Sequence, residues 1–338
     1  MTPARLLAFA LALGFGASAC EAPVAPVSPK PQLVRAGSAA ASPKPLTWST
    51  RLNVDHPLVG RLWSVGKASF VDEAEVLSAL HGYVLLGEKH DNPDHHALQA
   101  RLLGAMLAAG LRPVVAFEMF DVDNQEAIEL SRRDHPRDAA SLARAVDWEK
   151  SGWPPWVDYA PIAQIALDAE LKIVATGLPR ARLRALMTPA KDGSSEAAPL
   201  DMGAPLTSAD EQSLRDELRA SHCGHLPEAQ FDAMIRFQRA RDASMANALV
   251  AATAAAKADD AVLIAGTGHA REDRGAGRDL ALLDVTRRVT SVAFVEVAAG
   301  EDDPAGYAAR WNTTRMPFDF VWFTPRANDD DPCAAFAH

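Results

Sequence analysis

Four short apolar runs limit what this chain can fold into: YVLLG (83–87), PVVAF (113–117), KIVAT (172–176) and AVLIA (261–265). Each is continuous rather than alternating and is bounded by Gly or Pro, the pattern of a strand covered on both faces of a parallel sheet. Between them, residues 95–109, 161–170 and 231–256 carry apolar positions at helical spacing, the first after an Asn92-Pro93 start signal. Strand and helix in alternation predict an α/β fold with right-handed crossovers. SVAFVEV (291–297) and FDFVWF (318–323) add two later strands, the second alternating as a half-exposed edge would. Residues 121–156 and 207–256 hold long helical stretches without strands, too much for simple crossovers, and read as a helical subdomain inserted on the sheet's C-terminal side. Residues 191–205 are rich in Gly, Ser and Pro and read as a surface loop.

A chain of 338 residues that is 48% hydrophobic and 23% charged has the composition of a soluble globular body. With 44 acidic against 34 basic residues, a net charge of −10 and no Lys/Arg cluster, nothing suits it to displace counterions from a nucleic acid, which is therefore not an expected partner. The N-terminus departs from globular character: Arg5, an apolar run over 6–15, then small residues up to Cys20. That run is too short to span a bilayer and reads as a cleaved signal peptide over 1–19. Ala17-Ser18-Ala19-Cys20 resembles a bacterial lipobox, which makes Cys20 the expected lipid attachment site. Glu21 rather than Asp after it points to the outer membrane, facing the periplasm. Residues 20–45, dense in Pro, Ala and Ser, read as a semi-rigid tether, residues 46–326 as the folded domain and 327–338 as a C-terminal tail. An oxidising compartment allows a disulfide between Cys223 and Cys333; the sequence does not give their separation, so two unpaired thiols remain the default alternative.

In an open α/β sheet, ligands bind beyond the carboxyl ends of the strands. The first run leads into GEKHDNPDHH (87–96), three histidines and three acids where a helix begins, and Glu88 and His90 are the candidates there. His95 and His96 lie inside the following helix and read as surface-facing. The second run ends at Glu118, a carboxylate that needs a cation, a proton or a metal once buried. The fourth ends in GTGHAR (266–271), where glycines allow a tight turn and His269 projects. Two Gly-x-x-His motifs and two carboxylates converging on one volume suit either metal ligation or metal-free His–Glu acid–base catalysis.

Taken together, LLGEKHDNP (85–93), VAFEMF (115–120), WPPWVDYAP (153–161), GLP (177–179), FQRARDASMA (237–246) and GTGHA (266–270) resemble the ChaN family, the haem-binding uptake branch of a superfamily that includes the Tiki proteases and, more distantly, the erythromycin esterases. The likeness spans roughly residues 48–323. It implies a lipoprotein of iron acquisition or haem handling, a parallel α/β domain with a smaller helical part, and the ability to dimerise around haem. Tiki-like relatives imply a metal-dependent hydrolase reading in which His90, His269 and Glu88 or Glu118 act, with a divalent metal on Glu88, His90 and His269. A haem site needs an axial donor and cationic partners for the propionates. Tyr159 beside Trp153 and Trp156 is the preferred axial candidate, His222 and His225 around Cys223 offer further donors, and Arg239 is the candidate cation. The alternatives to a haem or iron-compound binder are a peptide, ester or amide hydrolase using Glu88, His90, Glu118 and His269, and a non-catalytic envelope protein whose strand-end histidines would lack close acidic neighbours.

Overall fold

A computed structural model describes residues 45–187, 201–331 and 333–334. The signal segment, Cys20, the tether up to residue 44 and residues 191–200 of the expected loop lie outside the described residues. In chain order the elements are β1 (Leu62–Ser64), β2 (Ser69–Val71), α1 (Glu73–Ala79), β3 (Tyr83–Glu88), α2 (Pro93–Ala108), β4 (Val114–Asp121), α3 (Gln125–Asp134), α4 (Ala139–Ala145) and α5 (Trp148–Ser151). They continue with α6 (Trp156–Asp168), β5 (Ile173–Gly177), α7 (Arg180–Met187), α8 (Ser208–Ser221), α9 (Phe231–Ala256), β6 (Ala261–Gly266), α10 (Ala276–Leu283), β7 (Val289–Glu296) and β8 (Phe320–Thr324).

These strands form one eight-stranded sheet in the order β2-β1-β8-β7-β3-β6-β4-β5. The pairs from β8 through β5 are parallel, and β1 runs antiparallel to both β8 and β2. The fold is thus α/β with a mainly parallel sheet, as the alternation of apolar runs and helices predicts. The two faces separate by residue parity. Val84, Leu86, Val115, Phe117, Val262 and Ile264 meet α2 and α6 on one side. Tyr83, Leu85, Val114, Ala116, Leu263 and Ala265 meet α9 and α10 on the other. Both faces being buried is what makes the runs continuous in sequence.

Two expectations change. β8 is no half-exposed edge: its five residues are all buried, because the β1–β2 hairpin adds beyond it. Strands of three residues carry too little period to be read from sequence. The interval 207–256 is an insert only in part. The first turns of α9, with Phe231 and Ile235, pack on Leu214 and Leu218 of α8. Its later turns lay Met245, Ala246 and Leu249 on the sheet like any crossover helix.

Past residue 326 the chain stays attached. The Ala327 N–H donates to Glu296 Oε1 at 2.7 Å, and Asn328 Nδ2 donates to Asp91 Oδ2 at 2.9 Å. Cys333 then forms a disulfide with Cys223 in the turn after α8, with 5.6 Å between their Cα atoms. This bond resolves the open cysteine pairing and closes a separation of 110 residues. In the chain-entropy account, closure of so long a loop stabilises by about 5 kcal/mol. Replacing both cysteines by serine is therefore expected to lower the urea unfolding free energy by that amount; unchanged midpoints in oxidised and reduced protein would contradict it.

Candidate functional site

Strand order delivers the chemistry. β3 and β4 both pair with β6, so the three strands end side by side, with Glu88 of β3 opposite Gly266 of β6. Glu88 shares the parity of Val84 and Leu86 and points toward α2 and α6. Glu118 shares that of Val114 and Ala116 and points toward α9. Between Phe117 and Asp121 the β4–β5 register shifts, a local irregularity of the kind that re-aims a side chain next to a site.

Glu88 is buried; its Oε1 is hydrogen-bonded, while Oε2 has only the charge contact of His96 beside it. The Tyr159 hydroxyl donates to Oε1 at 2.6 Å, His90 Nδ1 lies 2.8 Å from the same oxygen, and His96 Nδ1 lies 3.0 Å from Oε2. Burial alone would raise the Glu88 pKa. The charge of His96 and the hydrogen bonds from both histidines overrule it and hold the carboxyl well below the usual range. His90 and His96 are pushed up in turn, burial opposing and Glu88 prevailing. Tyr159 is raised far above its ordinary value, by burial first and by the Glu88 charge second.

Glu118, equally buried, accepts the Gly266 N–H on Oε2 at 2.7 Å and pairs with the Arg241 guanidinium through Oε1. His269 Nε2 stands 3.6 Å and His90 Nε2 3.9 Å from that Oε1. Burial works against ionisation here as well, but the His269 and Arg241 charges lower the Glu118 pKa to about 2. His269 Nδ1 lies 2.6 Å from Asp242 Oδ1, and Gln238 Nε2 lies 3.1 Å from the same ring nitrogen. Burial raises the Asp242 pKa despite that neighbour. Gly266 is required by close approach: a Cβ there would stand 2.9 Å from His90 Nε2.

The structure thus brings Glu88, His90, Glu118 and His269 into one cluster. Tyr159 belongs to it through its hydroxyl: the side chain is fully buried and donates to Glu88. Arg239 does not reach the cluster and donates to the carbonyls of Met202, Gly203 and Ala204. His222 and His225 lie in the turn after α8, where His222 Nδ1 is 2.8 Å from the Leu218 carbonyl. The metal set Glu88, His90 and His269 does not form, since no group of three or more His, Cys, Asp or Glu among the described residues is arranged to hold a metal ion. Glu88 turns to α2 and α6, whereas His269 is engaged by Asp242. His95 and His96 are buried rather than surface-facing. His95 Nδ1 accepts the Lys89 N–H at 2.8 Å, and burial takes its pKa down to about 3.

Beside Glu118 opens a cleft of about 480 Å³. Trp153, Phe237, Lys150, Arg180 and Arg241 line it together with Glu118. Lys150 and Arg180 are exposed at its rim. The His90 ring meets Trp153 edge-on, 4.8 Å between centroids.

The cluster sets a pH window. The folded pKa values of Glu88 and Glu118 lie below their ordinary 4.5, so their stabilisation is present above that pH and is lost as pH falls below it. Those of His90 and His96 lie above 6.5, so theirs is present below 6.5 and is lost as pH rises through the raised values. Urea midpoints should therefore peak between these limits and fall on both sides, with Glu118→Gln flattening the acid limb. Arg241→Ala, which leaves Glu118 buried without its cation, is expected to cost about 3–5 kcal/mol at neutral pH. Equal midpoints for this variant and the unaltered chain would contradict the pairing.

The profile of the family described as haem-binding uptake, Tiki superfamily, ChaN matches residues 78–280. Among solved structures, ChaN of Campylobacter jejuni, described with cofacial haem binding, superposes with a TM-score of 0.59 at 21% identity, over 82% of this chain and 98% of that one. A mutant of the erythromycin esterase EreC in its open conformation gives 0.46 at 15% identity over 85% and 99%, and the type III effector HopBA1 gives 0.41 at 14% over 74% and 91%. No curated protein sequence matches the chain. The first superposition fixes the fold, and the profile covers the strands and helices that carry Glu88, His90, Glu118, Tyr159, Asp242 and His269: this chain belongs to the ChaN haem-binding uptake family of the Tiki superfamily.

Proposed function

We propose that this chain binds haem or a related iron compound for iron uptake or haem handling, tethered by acyl chains on Cys20 to the periplasmic face of the outer membrane. The cleft beside Glu118 carries the reading. Its lining mixes apolar surface from Met119, Trp153, Leu178 and Phe237 with charged groups of both signs. Here Trp153 and Phe237 suit a flat macrocycle, and the exposed Lys150 and Arg180 suit its two carboxylates. Bound haem would supply an iron centre and an intense absorption band. The cofacial haem described for the Campylobacter protein supports a two-copy arrangement here, in which a haem half-covered by one cleft meets that of a second copy.

A second reading has an observation of its own. Asp242 and His269 at 2.6 Å, with Glu118 next along, form a carboxylate–imidazole series fit for acid–base catalysis of ester or amide hydrolysis. The non-catalytic envelope reading required strand-end histidines without close acids, and both His90 and His269 have them.

Titration of the purified chain with micromolar haem is expected to give a Soret shift with saturation, weakened by the double substitution Lys150→Ala and Arg180→Ala. No spectral change would end the haem reading. For the hydrolase reading, turnover of an ester and amide panel should vanish in His269→Ala, and equal turnover in that variant would sink it. Cys20→Ser should move the protein from the membrane fraction to the soluble one; continued sedimentation with membranes would remove the anchor.

A further inference from the structure

Beyond β8 the chain runs past the carboxyl ends of two other strands before it is caught covalently. At the end of β7, Glu296 Oε1 accepts the Ala327 N–H at 2.7 Å and Asn92 Nδ2 at 2.9 Å, and Lys89 Nζ lies 3.3 Å from both of its carboxylate oxygens. In the loop after β3, Asp91 Oδ2 accepts Asn328 Nδ2 at 2.9 Å. His90 is therefore flanked on both sides by residues held in one knot with the tail. Further on, Cys333 is bonded to Cys223 in the turn that ends α8. α8 is itself pinned to the segment after β6: Glu217 Oε2 accepts Arg271 Nη1 at 2.7 Å and pairs with Arg274 Nη2, and both arginines are buried. The disulfide thus closes a circuit through the loops after β3, β7 and β6, the last of which carries His269.

We propose that the Cys223–Cys333 disulfide is a redox switch for the loop that carries His90: reduction by a dithiol releases the tail from Asp91 and loosens residues 89–92. The proposal goes beyond the haem and hydrolase readings and depends on neither. Both cysteines are half-buried rather than sealed, and exposed disulfides are the ones that thiols reach and reduce. Cys223 is a non-glycine residue in the left-handed region at φ +53°, followed by Gly224 at +74°. Such a conformation is disfavoured and persists where its surroundings impose it, so the turn relaxes once the bond is cut. The bond between Asn328 and Asp91 is exposed, and water competes for both groups. Without the disulfide that bond lies near a free chain end, and chain ends fray unless tied down. In the exchange the S–S bond of the protein breaks and the dithiol, giving up two electrons, closes an S–S bond of its own. Its two thiol protons pass to the sulfurs of Cys223 and Cys333.

The experiment treats the folded full chain with dithiothreitol and follows thiol release and amide hydrogen exchange, with the fold checked by far-UV circular dichroism. The reporters are the Lys89 and Asn92 amides, which donate to His95 Nδ1 and to the Lys89 carbonyl. A gain of two thiols without denaturant is expected, together with exchange over residues 88–92 and 222–225 faster by about tenfold or more, at labelling times at which β6 stays protected. Cys333→Ser should show the same pattern with no reductant present. Asn328→Ala in the oxidised chain should speed exchange over 88–92 and leave 222–225 as it is, which separates the tail contact from the disulfide. Thiols that appear only after denaturation would overturn the switch, as would unchanged exchange over 88–92 in the reduced chain. Loss of the far-UV signal on reduction would overturn it too, since the bond would then hold the whole fold rather than one loop.

Discussion

An ionised carboxylate with no solvent contact, set at the end of the sheet's central strand, organises what surrounds it. Glu88 loses its hydration on folding, a cost of several kcal/mol for an unpaired charge, so the fold must return to it what water gave. It does so from three elements at once: His90 from the loop after β3, His96 from the first turn of α2, and Tyr159 from α6. Asn92 caps α2 by accepting the Asp94 N–H, and Asp94 itself accepts the N–H groups of Ser49 and Thr50. The entry segment of the domain and the position of His96 are therefore fixed by neighbouring residues of one helix turn. Removing any one donor leaves the others holding a charge they cannot fully compensate.

The second carboxylate is compensated from the opposite face of the sheet, and that division follows from strand parity. Glu88 belongs to the α2–α6 face and Glu118 to the α9 face, so one site draws on both helical layers without any side chain crossing the sheet. β6 lies between their strands, and its end supplies the Gly266 N–H to one carboxylate and carries His269 toward that same group from the far side. Helix phase decides what α9 contributes. At about 100° per residue, Gln238 and Asp242 share a face and both reach His269, and Arg241 is turned one step from Asp242 toward Glu118. Arg239 falls on the other side of Asp242 and fastens residues 202–204 instead.

How much of this was legible in sequence follows from the same physics. Continuous apolar runs ending in a polar residue mark buried parallel strands, which is why Glu88, Glu118 and the two Gly-x-x-His turns could be placed at strand ends and assigned to one volume. His96 could not, since a histidine in the first turn of a helix looks the same whether it faces water or an internal carboxylate. Arg239 is the cation expected from sequence, but helix spacing alone holds no information on which arginine of 236–241 reaches Glu118. Tyr159 was recognised as part of an aromatic corner, yet its hydroxyl had no visible partner 71 residues away in the chain. The β1–β2 hairpin was illegible because three-residue strands have no measurable period.

Exposure is what separates the binding and catalytic readings of one cluster. Acid–base chemistry on a substrate needs the catalytic ring nitrogen within hydrogen-bond reach of that substrate. His269, engaged by Asp242 and Gln238 on one nitrogen and faced by Glu118 on the other, is nearly sealed at 5% side-chain exposure. His90 is the more open ring, with 35% of its side chain exposed. Glu88 holds its ring at Nδ1, and its Nε2 stands 3.9 Å from Glu118 Oε1. Charge pairs fixed in this way by β3, β4 and α9 need not reorganise when a ligand arrives.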